Sequence, residues 1–258
     1  MKPDKTNWSE KRNLLVVGLR DPWRRTDAVE AIRSMGSAGV EFLPPLIKAL
    51  EDSAAQGRLI LARSPVDATS TDMDGFVEAE FRRDVIIALG EIGSGTQKAI
   101  RALIAALEDS DANVRTAAAG ALGRMGLAAN IAIPALLRLL GDSRHFVREI
   151  ATRALARIDA TDPRIILPLT EALKDSSPGV RTSAAEALGN VRPTEDIAAM
   201  LAGVLQDTSP GVRIAAAKSL SKFGVAAKVA VPALTKAMES RYDAVRKAVT
   251  AALERIGV

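Results

Sequence analysis

The chain has 258 residues, 48% of them hydrophobic but only 3% aromatic, which supplies a core and excludes a disordered segment. It contains no cysteine, so disulfides, thiolate metal ligands and a cysteine nucleophile are excluded, and a reducing compartment suits it. Its net charge of +4 is local: residues 1–25 hold seven Lys/Arg against three acids and the remainder is balanced, so no whole-molecule basic field is encoded.

In chain order, Met1 to Glu10 is polar. The first apolar run, Leu14 to Leu19, is broken by Gly18 and is too short for a signal h-region or a membrane span. The expectation is a cytoplasmic chain with no membrane segment, opening with an N-terminal capping helix over residues 1–20. A first repeat follows at 21–52, where Arg25, Ile32 and Met35-Gly36 stand in register with Arg115, Leu122 and Met125-Gly126 further on. From there an apolar-Arg pair followed by alanines and Ala-Leu recurs at Arg82, Arg115, Arg148, Arg181, Arg213 and Arg246, at intervals of 33, 33, 33, 32 and 33 residues. A fixed period of this length marks a stack of supersecondary units. The spacing gives repeats at 78–109, 110–142, 143–175, 176–207 and 208–240, and a terminal helix at 241–258.

Each unit reads as two helices. In the first, Val114, Ala118, Ala121, Leu122 and Met125 fall three and four apart, which makes one apolar stripe. Ser177-Pro178 and Ser209-Pro210 place a capping hydroxyl before a first-turn proline, and Gly36, Gly93, Gly126 and Gly224 stand where the first helix ends. The second helix begins near Pro44, Pro134, Pro168 or Pro232. No unit can bury its apolar face alone, so the units must stack.

One break interrupts the period. Arg25 to Arg82 is 57 residues, leaving an insertion at 53–77 that reads as an acidic loop carrying Asp67, Asp72 and Asp74, with a short helix at Leu59 to Ala62. Loops without a packing duty collect function. Ser70, Asp72, Asp74 and Gly75 echo the start of a calcium loop, but the twelfth position is Phe81 where a bidentate glutamate is needed, so a solvated acidic loop is expected.

The pattern Asp-x5-Arg-x2-Ala-Ala-x2-Leu-Gly resembles the short HEAT-like repeats also found in phycobilin lyases, from about Asp21 to Gly257. The resemblance implies an all-α, right-handed α-α superhelix of the HEAT/armadillo type, about six helix-pair repeats plus flanking helices. It further implies a concave groove lined by the second helices, and a structural ladder of Asp109/Arg115, Asp142/Arg148, Asp175/Arg181 and Asp207/Arg213 that ties adjacent repeats together.

Catalytic chemistry is not visible in the sequence. His145 is the only histidine, and there is no phosphate loop, nucleophile elbow or paired carboxylate motif. A non-enzymatic chain without cofactor or metal is therefore expected. In repeat register, Lys48, Ala105, Arg138, Glu171, Gly203 and Lys236 form one row on the second helices, flanked by small or apolar positions. A mixed row suits a protein partner better than phosphates. The reading is a protein-binding scaffold using Lys48, Arg138, Glu171 and Lys236, with the acidic insertion as a further contact. The alternatives are a lyase-like or chaperone-like factor for a tetrapyrrole-bearing protein, and nucleic-acid binding through the basic N-terminus. Trp8 and Trp23, near that terminus, are expected to cover the apolar end of the first repeat.

Overall fold

A computed structural model describes the backbone of residues 5–63 and 71–258, and the side chains of 8–57 and 75–258. Among the described residues there are helices and turns but no strand. The α-helices are α1 Lys5–Gly18, α2 Arg25–Ser34, α3 Leu43–Arg63, α4 Thr71–Ile92, α5 Gln97–Ala106, α6 Ala112–Met125 and α7 Ile133–Leu139. They continue with α8 His145–Asp159, α9 Pro163–Ala172, α10 Pro178–Leu188, α11 Glu195–Gly203, α12 Pro210–Phe223, α13 Val231–Ala237 and α14 Asp243–Ile256. The molecule divides into two compact units, Met1–Ala132 and Ile133–Val258.

In the first unit α4 packs against α2, α3 and α6, and α5 packs against α6. Ile32, Phe42, Leu46, Ile86, Leu89, Ile100 and Leu103 are fully buried there. In the second unit α8, α10, α12 and α14 pack in succession, each against the next. Alanines at the contacts, such as Ala184, Ala185, Ala216 and Ala217, are buried, and their short side chains let consecutive helices approach. Ser219 of α12 is also buried, and its hydroxyl donates to the carbonyl of Ala185 in α10 at 2.8 Å.

First helices pass into second ones through 3-10 corners at Gly36–Phe42, Gly126–Ala132 and Gly224–Ala230. Gly126 and Gly224 open two of these with φ of 58° and 54°, a region that side chains with a Cβ avoid. Gly93 does not serve this way: the positive φ falls on Gly95, and Gly93 is instead the point where a Cβ would strike Ala99 and Leu43.

Three other expectations are corrected. Pro168 does not start a helix; α9 begins at Pro163 behind an Asp162 cap, and Pro168 lies inside it. Ser177 and Ser209 do precede first-turn prolines, but neither hydroxyl caps its helix. Their own N–H groups instead donate to Asp175 and Asp207, each at 2.8 Å. Most consequential is the insertion at 53–77, whose described residues are helical rather than looped: 53–63 continue α3, which runs to 21 residues, and 71–77 open α4, which runs to 22.

Ala112–Leu139 is, among the described residues, one stretch long and apolar enough to cross a membrane. Half of its apolar window is buried within the molecule, and the positive φ of Gly126 interrupts it.

Candidate partner-binding surface

The regular arginines and aspartates come together, but with a different pairing from the one read in sequence. The aspartate does not give its carboxylate to the arginine six residues later. Arg82 donates Nε and Nη2 to Asp109 at 2.8 and 2.9 Å. Arg148 does the same to Asp175, both at 2.7 Å, and Arg181 to Asp207 at 2.7 and 2.8 Å. The partners are 27, 27 and 26 residues apart, so each pair ties the first helix of a repeat to the aspartate that closes that same repeat. The arginine six residues after each aspartate takes the main chain instead: Nη1 of Arg115, Arg148 and Arg181 donates to the carbonyl of Asp109, Asp142 and Asp175, each at 2.8 Å. The carboxylates of Asp109, Asp142, Asp175 and Asp207 also accept the N–H two residues on, which fixes the turn before the next first helix.

These are bidentate, charge-assisted bonds at shielded positions, the geometry in which a guanidinium–carboxylate pair is strongest. The hydrogen bonds from Arg148 outweigh the burial of Asp175 and hold its carboxyl below the usual carboxylate range. Burial pushes Asp207 the other way, but the bonds from Arg181 and from the N–H of Ser209 prevail, and its carboxyl is held low as well.

The extended α4 alters the first steps of this ladder. Arg25 pairs with Glu78 of α4 at 2.8 Å and stacks on Phe81 with its guanidinium carbon 4.4 Å from the ring centre. The Ser53 hydroxyl donates to the other oxygen of Glu78 at 2.5 Å, while Asp52 is taken by Lys48 at 3.2 Å. Six residues before Arg82 the chain is already helical, so no free turn carbonyl meets its Nη1; that atom is buried and has no hydrogen-bond partner among the described residues.

The row named from sequence is solvent-facing throughout: Lys48, Ala105, Arg138, Glu171, Gly203 and Lys236 are all exposed. The positions one helical turn earlier, Pro44, Arg101, Pro134, Leu167, Ala199 and Pro232, are exposed too. Each second helix therefore leaves an i, i+4 stripe uncovered, and in α9 this stripe contains Leu167 at 67% exposure beside Glu171. These positions combine apolar and small residues with scattered charge. Periodicity placed the charged row; the turn before it became visible only once the helix faces were defined.

Of the insertion residues, Asp67 lies outside the described residues. Asp72 and Asp74 fall on the first turn of α4, where the backbone is helical rather than looped, and their side chains are outside the described set. Among the described residues no group of three His, Cys, Asp or Glu side chains is arranged to hold a metal ion. Trp23 does not cover the end of the first repeat: it is 93% exposed, and Trp8 is 40% exposed.

These features define an all-α helical-repeat solenoid of the HEAT/armadillo type. The HEAT repeats family matches residues 77–156 and 166–254, and the chain belongs to that family. Residues 147–175 also match the PBS lyase HEAT-like repeat. No curated protein matches the chain. Among solved structures it is similar to the karyopherin Kap121p, at 18% identity and a TM-score of 0.63, over 98% of this chain and 30% of that one. A designed armadillo repeat protein matches at 22% identity and a TM-score of 0.52, over 83% of this chain and all of the other. The complex of CpcE and CpcF of phycocyanin lyase from Nostoc sp. PCC7120 matches at 27% identity and a TM-score of 0.49, over 60% of this chain and 97% of that one. The likenesses to the karyopherin and the designed protein are likenesses of fold.

Proposed function

We propose that the chain is a non-catalytic scaffold that binds a protein partner along the exposed stripe of its second helices, through Lys48, Arg138, Glu171 and Lys236 and the small and apolar residues between them. The observation that carries this reading is the stripe itself. Every second helix keeps the same two positions uncovered while its remaining faces supply core residues such as Leu46, Leu103, Leu136, Leu169, Leu201 and Leu234. Mixed apolar, small and charged lining matches a polypeptide better than a phosphate backbone. One solved relative in fold supports it by analogy: Kap121p is known bound to the extreme C-terminus of the protein phosphatase Cdc14p.

The test is charge reversal at two exposed sites, Arg138→Glu with Lys236→Glu. The double variant should keep its helical content and lose partner binding by about tenfold or more, as desolvated interface charges do. Unchanged binding would remove the stripe from the interface.

A second reading follows from the match of residues 147–175 to the PBS lyase HEAT-like repeat: a factor serving a tetrapyrrole-bearing protein. An absorbance titration with free bilin tests it, and an unchanged bilin spectrum would retire it.

A further inference from the structure

The ladder has one rung whose carboxylate is missing. Arg82, Arg148 and Arg181 each present Nε and Nη2 to the aspartate that closes the same repeat, and at Arg213 the corresponding residue is Ser240. The serine is too short and uncharged to replace it. Its hydroxyl accepts one long bond from Arg213 Nη1 at 3.4 Å, and Arg213 Nε, the atom that elsewhere donates to the carboxylate at 2.7–2.8 Å, is buried with no partner among the described residues. A guanidinium in this state has lost a charge-assisted bond without regaining water at that nitrogen.

Beside it lies an open cleft of about 470 Å³, lined by Arg213, Lys236, Ser240, Arg241 and Tyr242 among others. Two guanidiniums lie over the Tyr242 ring, with the Arg213 and Arg241 carbons 5.2 and 4.8 Å from its centre. Arg241 Nη2 also donates to the Tyr242 hydroxyl at 2.7 Å. Two acids share the lining: Asp207, already engaged by Arg181, and the exposed Glu239. Cationic charge thus exceeds the acid available to offset it, and the donor pair that recognises a carboxylate is unfilled.

We propose that this cleft is a carboxylate-binding site, filled by an acidic side chain of the partner polypeptide in the place that Asp109, Asp175 and Asp207 take in the other repeats. The three filled rungs show what this arginine geometry accepts, a polypeptide carboxylate held in bidentate fashion. Lys236 brings the cleft onto the exposed stripe, so the site deepens the scaffold reading and rests on it. The partner is therefore one that presents an acidic residue at the C-terminal end of the second unit.

Tyr242 is the only tyrosine in the chain, so its ring gives a single-residue NMR signal at the site. The probe is a tetra-aspartate peptide, acetylated and amidated at its ends, with the equally capped tetra-asparagine peptide as its uncharged counterpart. The Tyr242 signal should shift with the aspartate peptide and stay in place with the asparagine peptide. In Ser240→Asp, where the chain supplies its own carboxylate, the aspartate peptide should bind at least about tenfold more weakly. No shift with the aspartate peptide, or equal affinity in Ser240→Asp, would overturn the site. An equal shift with inorganic phosphate at the same concentration would overturn the polypeptide source in favour of a free anion. The scaffold reading is tested separately with Arg138→Glu alone, which lies outside the cleft: loss of native partner binding in that variant, with no Tyr242 response to the aspartate peptide in the wild-type chain, would remove this site and leave the scaffold standing.

Discussion

Asp175 receives two hydrogen bonds from Arg148, Nε to Oδ2 and Nη2 to Oδ1, both at 2.7 Å, and its Oδ1 also accepts the N–H of Ser177. One carboxylate therefore joins two repeats and sets the entry to α10. Both side chains are 14% exposed, so little water competes for these bonds. Asp175→Asn should cost about 1–3 kcal/mol in chemical denaturation, because the amide cannot satisfy the guanidinium bidentately. A loss below about 0.5 kcal/mol, the range of an ordinary surface change, would show that the pair carries no weight.

The same pair sets a direction for acid sensitivity. Hydrogen bonds from Arg148 hold Asp175 below its ordinary value in the folded chain. A carboxylate depressed on folding contributes its full stability above the unfolded value, about 3.9, and loses it as pH falls through the folded value. Asp207 adds with the same sign, since its bonds overcome its burial. Stability of the native chain should fall on acidification below about pH 4, and Asp175→Asn should show a shallower fall over that window. Parallel curves for the two proteins would contradict the assignment.

Two glycines of the second unit should respond to alanine in opposite directions. A Cβ at Gly189 would come 3.0 Å from Ser219 Cα and nearer still to its side chain, where α10 and α12 touch. Gly189→Ala should destabilise by about 1–3 kcal/mol through overpacking. Gly203 has an ordinary helical φ of −59° and nothing within 4 Å of an added Cβ. Gly203→Ala should therefore stabilise by about 0.4–1 kcal/mol by restricting the unfolded chain. Thermal or urea unfolding of the two variants side by side checks both signs.

Ser240→Asp should stabilise the free chain as well as compete with the acidic peptide. An aspartate there would meet Arg213 as Asp207 meets Arg181, and would engage the Nε that is now buried without a partner. A gain of about 1 kcal/mol corresponds to a rise of about 2–4 °C in Tm for a chain of this size. A lowered Tm would mean that the serine is there for packing.

Much of this architecture is written in the sequence at one period, because each repeat must bury the same stripe against the same neighbours. The arginines at 33-residue spacing, the first-turn prolines at Pro178 and Pro210 and the exposed row from Lys48 to Lys236 follow from that requirement. What periodicity could not show is which carboxylate each arginine takes. Arg148 lies six residues from Asp142 and 27 from Asp175, and only the packing of successive first helices decides that the distant carboxylate is the partner. The described residues of the insertion depart from the loop reading because residues outside the repeat register can still continue a helix, and here they lengthen α3 and α4. The unfilled rung at Arg213 is hinted at in sequence, since Ser240 is the one departure from aspartate in the series after Arg82, but its buried Nε required the structure.

The central claim, that the stripe holds a protein, is tested most directly by affinity capture from native lysate at moderate and at high salt. Proteins and nucleic acids are both identified, and the wild-type chain is compared with Arg138→Glu/Lys236→Glu. A stoichiometric protein should stay on the wild-type chain at high salt and be lost from the variant. Recovery of nucleic acid alone, released as salt rises and indifferent to the variant, would contradict it and move the binding surface to the basic segment around the exposed Trp23.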